Sequence, residues 1–146
     1  MRRLDPGLTL AFIGALLAFP SLIFAADSVR IEKDVAYLGT DRKEKGDLYR
    51  PAQAAGGKRF PAVVIIHGGG WTGGDKGSAR EINIGRTLAM NGYVGFSINY
   101  LLASRDRPTW PRNLYDCKTA VRWLRKNADR LDIDPDHVGA IGGSAG

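Results

Sequence analysis

Ala62-Val63-Val64-Ile65-Ile66, followed at once by His67-Gly68-Gly69-Gly70-Trp71, is the stretch whose reading decides the fold. Five consecutive apolar residues, four of them β-branched, predict a strand buried on both faces, as in a parallel sheet. From His67 to Gly77 six of eleven residues are glycine, so the strand must open into a loop rather than regular structure. A second apolar run, Val138 to Ile141, ends the same way, in Gly142-Gly143-Ser144-Ala145-Gly146.

Outward from these two runs the remaining elements follow. Val29 to Leu38 is rich in Val, Ile and Tyr and predicts a strand. Thr40 to Lys45 is a polar turn, and Asp47 to Arg50 is a second short strand stopped by Pro51, the two forming an antiparallel pair. Ser78 and Glu81 have the spacing of a capping box and begin a helix with Ile82, Leu88 and Ala89 on its apolar side, closed by Asn91-Gly92. Tyr93 to Tyr100 is the next strand, with Val94, Phe96 and Ile98 on one face. After a loop from Leu101 to Pro111, Asn113 and Asp116 open a second helix. Its Cys117, Ala120, Val121 and Leu124 fall at i, i+3, i+4 and i+7. Asp132 to Asp136 is a turn around Pro135, and Val138 to Ile141 a short buried strand. The order β-β-β-α-β-α-β indicates an α/β fold with a mostly parallel sheet.

Composition narrows the function classes. At 146 residues, 44% apolar and 25% charged, the chain is ordinary for one globular domain, which excludes long disorder and collagen-like repeats. The net charge of +6 is scattered as singles and pairs. A nucleic-acid binder concentrates its charge in a patch, so no nucleic-acid partner is expected. Cys117 is the only cysteine, which excludes an intramolecular disulfide and a Cys-based zinc site. At the N-terminus, Arg2-Arg3, an apolar run from Leu8 to Phe24 and the small residues Ala25-Ala26 read as a secretory signal peptide over residues 1–26. An uncleaved anchor is the alternative, since about 20 apolar residues can span a bilayer; Pro20 favours cleavage. Residues 27–146 then form a secreted or periplasmic domain with no stable membrane span.

The glycine motifs carry the chemistry. Gly142-Gly143-Ser144-Ala145-Gly146 satisfies G-x-S-x-G, the nucleophile elbow, directly after a strand. Such a sharp turn lifts the serine hydroxyl above the sheet and aims the next backbone N–H into the site, and bulky neighbours would clash. His67-Gly68-Gly69-Gly70-Trp71 matches the HGGG loop that offers backbone N–H groups to a tetrahedral intermediate. Other readings fail on detail. Gly68, Gly70 and Gly73 match G-x-G-x-x-G, but Gly73 to Gly77 continues as loop and the next strand ends in Asn99-Tyr100 without an acid. A P-loop fails because Asp75 separates Gly74 from Lys76. Asp132, Asp134 and Asp136 mimic an EF-hand start, but His137 stands where glycine is needed and Gly143 where glutamate is. In a parallel sheet the strand C-termini share one edge, so Gly69, Gly70 and Ser144 should converge.

In these motifs the chain resembles the N-terminal half of a secreted α/β-hydrolase esterase. It is most similar to the lipase/esterase group with an HGGGW loop, which includes feruloyl and acetyl-xylan esterase-like proteins. The matching stretches are Pro61 to Gly74, Ser97 to Leu102 and Asp116 to Gly146. The resemblance implies Ser144 as nucleophile and an oxyanion hole from Gly69, Gly70 and the Ala145 N–H. It implies small-molecule ester substrates, plant cell-wall-derived ones included, cleaved through an acyl-serine without metal or cofactor. Amide or peptide cleavage by the same elbow, and a non-catalytic binding chain, are the alternatives. Leu101 departs from the arginine that relatives carry after the tyrosine. In this fold the acid and the histidine follow the serine, so the chain reads as truncated after the elbow. Of the two histidines, His137 precedes Ser144 by a strand's length, roughly 15–20 Å. His67 begins the oxyanion loop and is structural in the resembling group.

Overall fold

A computed structural model describes residues 29–52, 56–57 and 59–146. The expected signal peptide, residues 1–26, lies outside the described residues. The described residues form β1 (Val29–Val35), β2 (Gly46–Pro51), β3 (Phe60–Ile66), α1 (Ala79–Met90), β4 (Val94–Ile98), α2 (Arg112–Lys126), α3 (Ala128–Leu131) and β5 (Ile133–Gly142). The order is the expected one with one short helix, α3, added. The five strands make a single mixed sheet in the order β1-β2-β4-β3-β5. β2 pairs antiparallel with both β1 and β4, while β4, β3 and β5 are parallel.

Side-chain alternation along the strands sorts the helices onto two faces. Leu48, Val64 and Phe96 point to one face and pack in a cluster with Ala120 and Leu124 of α2 and Leu131 of α3. Phe96 also stacks on Trp123, 5.0 Å between ring centroids. Tyr49, Ile65 and Gly95 point to the other face, where Gly85 of α1 lies against the Tyr49 ring and Gly95. The expected stripe on α2 is the packed one: Ala120 and Leu124 are buried, and Cys117 and Val121 pack against the same core.

Three local expectations are corrected. The capping box at Ser78 does not form, since Ser78 makes no side-chain cap bond. Its hydroxyl donates instead to the Asp75 carbonyl, while Asp75 Oδ1 accepts the Gly77 N–H at 2.7 Å and builds the turn into α1. Glu81 consequently faces inward with Gly85 and Ala89 and is buried, whereas Ile82 is only half-buried. The last strand begins at Ile133, not Val138, because the fully buried Ile133 pairs with Phe60. The expected turn survives as an irregularity inside β5: pairing passes from Ile133 directly to Val138, and Asp136 N–H donates to Asp134 Oδ1. Proline is tolerated there because the bulged segment is not called on for a ladder N–H. Finally, β5 is the outer strand of the described sheet, so Val138 to Ile141 is exposed or half-buried rather than buried, with Ile141 at 42%.

Candidate active site

The parallel register sets the geometry. Ile66 pairs with Ile98 on one side and with Gly142 on the other, so β3, β4 and β5 end level along one edge. The residues that follow, His67-Gly68, Asn99-Tyr100 and Gly143-Ser144, therefore emerge side by side.

At the elbow, Ser144 has φ +59°, a left-handed conformation in a residue other than glycine. That conformation costs about 1–3 kcal/mol and persists where the surroundings enforce it. Here Gly146 N–H donates to the Gly143 carbonyl at 3.1 Å, closing the turn around Ser144. The chain then passes so near β3 that a Cβ at Gly146 would collide with the Ile66 carbonyl. Ser144 itself is exposed.

The oxyanion-loop candidate lies against this turn. A Cβ at Gly68 would sit 2.7 Å from the Gly143 carbonyl oxygen and 3.3 Å from Ser144 Cβ, so the approach of loop and elbow admits no side chain there. Gly69 has φ +122° and its missing Cβ would overlap the Gly73 carbonyl. The Gly69 carbonyl accepts from Thr72 N–H at 3.1 Å and Gly73 N–H at 3.0 Å, which fixes its peptide. Gly70, at φ +60°, continues the same turn. Gly69→Ala in the complete gene product should lower kcat by about 10²–10³-fold with little change in KM, the loss expected when an oxyanion donor is displaced. Steady-state kinetics check this; a raised KM at unchanged kcat would point to substrate binding instead.

His67 is buried, with Nδ1 2.7 Å from the Gly68 carbonyl, so Nδ1–H donates there. Its ring stacks on Tyr100 at 4.5 Å, and the Tyr100 hydroxyl donates to the His67 carbonyl at 2.9 Å. Nε2 is buried without a partner among the described residues. The contacts fasten the start of the loop. His137 is exposed in the middle of β5, five residues before its C-terminal end, with Nδ1 2.7 Å from Asp134 Oδ2. Among the described residues neither histidine is hydrogen-bonded to Ser144.

A cavity of about 180 Å³ opens beside the elbow, lined by Ala145, Gly146, Ile66, Trp71, Tyr100, Trp110, Asn113, Leu114 and Cys117. A second, of about 340 Å³, shares Trp71, Trp110 and Asn113. Trp71 is therefore a wall of both cavities. Cys117 lines the first but is no rival nucleophile: burial, aided by the Asp116 charge, pushes its thiol up to about 11.

Several charged groups near the site escaped sequence reasoning. The Lys76 ammonium lies 2.6 Å from Asp47 Oδ1 and 2.9 Å from Asp34 Oδ1. Burial pulls its pKa down, but bonds to these carboxylates outweigh that and raise it. Burial pushes the Asp75 carboxyl up, yet hydrogen bonds from Asn99 and the Gly77 N–H hold it below the ordinary carboxylate range. Arg80 pairs with buried Glu81 at 2.7 Å and packs against Gly143. Asp116, also buried, accepts from the Leu101 N–H at 3.0 Å and from both terminal nitrogens of Arg42. With leucine at 101, the cation facing Asp116 comes from the β1–β2 loop. Lysine and arginine read as solvated in sequence because nothing in their spacing reveals a partner 29 or 74 residues away.

The fold and site define the class: an α/β-hydrolase, with its oxyanion-loop motif and nucleophile-elbow motif on adjacent strand ends. Residues 47–146 match the family model BD-FAE, and the chain belongs to that family. Among curated relatives it is similar to esterase LipQ of Mycobacterium tuberculosis, 34% identical over 113 residues, 77% of this chain and 26% of the relative. It is also similar to esterase LipC of the same organism, 36% identical over 61% of this chain and 21% of LipC. Among solved structures it resembles the thermophilic esterase Est2 of Thermogutta terrifontis, with TM-score 0.68 and 31% identity over 82% of this chain and 41% of Est2. The chain thus spans about a quarter of LipQ and about two-fifths of Est2.

Proposed function

We propose that the complete gene product is a carboxylic ester hydrolase with Ser144 as nucleophile. The observation that carries the reading is the left-handed Ser144 in a glycine-flanked turn, pressed against Gly68 of a loop whose next residues are Gly69 and Gly70. Ser144 Oγ bonds to the acyl carbon, and its proton passes through a base to the departing alcohol as the ester C–O bond breaks. Water then releases the acid and restores the serine. The N–H groups of Gly69, Gly70 and Ala145 face the carbonyl oxygen while it carries negative charge. The base and its acid belong to residues after the elbow, in the chain order of this fold.

Short acyl chains suit the small cavity at Ala145 and Gly146; Est2 has been solved with butyrate and with propionate bound. The indole walls of Trp71 and Trp110 suit flat rings in the remainder of the ester, aryl esters of plant cell-wall origin included. The test is the complete gene product with p-nitrophenyl butyrate and the matching anilide. Turnover of the ester with little of the anilide is expected; preference for the anilide would overturn the ester assignment.

Export is part of this reading, on the strength of Arg2-Arg3 and the apolar run to Ala26. N-terminal sequencing of the exported protein should start between Ala25 and Ser28. A protein that keeps Met1 in the cytoplasm contradicts it.

A further inference from the structure

We propose that Lys76 is a positioning residue for the oxyanion hole: it pegs the return end of the glycine loop to the antiparallel side of the sheet. The inference rests on the reading of the loop as an oxyanion hole. Its loop donors, the backbone N–H groups of Gly69 and Gly70, belong to residues without side chains, so nothing but main-chain anchorage can set their position. The entry end is fastened by His67. The exit end is fastened at Lys76, through every polar atom that residue has. Its N–H donates to Asn99 Oδ1 at 2.6 Å, and its carbonyl accepts from the Ser97 hydroxyl at 2.8 Å. Its ammonium reaches Asp47 Oδ1 on β2 and Asp34 Oδ1 on β1.

The receiving groups are themselves fixed. Asp47 and Ser97 are buried, paired across β2 and β4 in the sheet. Asp34 sits at the irregularity of β1 with φ +57°, and its N–H donates to the same Asp47 oxygen that Lys76 reaches. Asn99 Nδ2 donates to Asp75 Oδ2, so the residue before Lys76 is held from the same strand end. Between Gly69 and Lys76 the chain has little slack. Gly73 N–H is bonded to the Gly69 carbonyl, Gly74 packs on the Gly68 carbonyl and the His67 ring, and Trp71 is tied through its carbonyl to the Ala103 N–H. A shift at Lys76 is passed directly to Gly69 and Gly70. Lys76 lines neither cavity beside the elbow and its polar partners do not include Ser144, which separates this role from catalysis.

Lys76→Gln alone leaves Asp47 buried without its cation, so a second variant, Asp47→Asn with Lys76→Gln, replaces both charges by amides able to bond each other. In the complete gene product, kcat on p-nitrophenyl butyrate should fall about 10- to 100-fold in both, the range expected for donors misplaced by up to about an ångström. KM should stay within about threefold, because ground-state binding in the tryptophan-walled cavity is untouched. Affinity for a butyl boronic acid, whose tetrahedral adduct puts an oxygen in the hole, should fall in step with kcat. Independently of activity, amide exchange at Thr72, Gly73 and Ala103 should accelerate while β3 and β4 stay protected. A folded double variant with wild-type exchange, kcat and boronate affinity overturns the proposal. A parent protein that hydrolyses no ester while loop exchange still accelerates overturns the function reading and supports the anchor.

Discussion

Replacing Ser144 with alanine in the complete gene product should lower ester turnover by about 10⁴-fold or more, with the protein still folded. The size follows from what the hydroxyl alone can do. On the proposed mechanism it is the atom that forms the acyl bond, and the loop N–H groups and cavity left behind could only orient an ester for attack by water. Alanine adopts a positive φ no more readily than serine, so the substitution leaves the turn as strained as before and removes only Oγ. Circular dichroism should be unchanged and substrate binding nearly so. A variant that keeps more than about a tenth of wild-type kcat would move the nucleophile elsewhere. Cys117 is poorly suited to inherit the role, with its thiol held up near 11 on the core face of α2.

A polypeptide of residues 1–146 by itself should hydrolyse esters at close to the uncatalysed rate. Only two histidines occur in it, His67 and His137. The first spends Nδ1–H on the Gly68 carbonyl and its ring face on Tyr100; the second is exposed beside Asp134. Without a base, the serine stays a neutral hydroxyl and a weak nucleophile, and loss of triad members costs about 10⁴-fold or more. The same polypeptide should self-associate. β5 presents an outer edge carrying half-exposed Ile141, and unpaired strand N–H and C=O groups beside apolar side chains template further pairing. Light scattering and an ester assay of the polypeptide beside its Ser144→Ala form check both points. Robust turnover that the mutation removes would show that the polypeptide, or an oligomer of it, assembles a base, with His67 the first residue to test.

Much of this architecture can be read from local pattern. The apolar run at 62–66 and the glycines after it are constraints a chain can satisfy in few ways, and β3, its loop and the elbow lie where those constraints predict. The α2 stripe reads correctly for the same reason, since the 3.6-residue period leaves one face for the core. What escapes is decided by partners distant in sequence. Glu81 reads as a cap because its spacing from Ser78 is right, but Asp75 claims the turn and Glu81 goes inward, paired with the exposed Arg80. Lys76 reads only as the lysine of a P-loop that Asp75 spoils, because Asp47 and Asp34 meet it through strand pairing. Ile133 reads as part of a turn because Pro135 follows; its burial beneath α2 and α3 lets the strand start there. In the site, residue type and order were legible while the anchoring was not, since anchoring is a property of the assembled sheet.

The most direct measurement is covalent. Treat the complete gene product with a fluorophosphonate, digest it, and map the adduct by mass spectrometry. The account predicts one adduct, on the peptide containing Gly142 to Gly146, localised to Ser144 and lost in Ser144→Ala. An adduct on another residue, or equal labelling of the alanine variant, would contradict it.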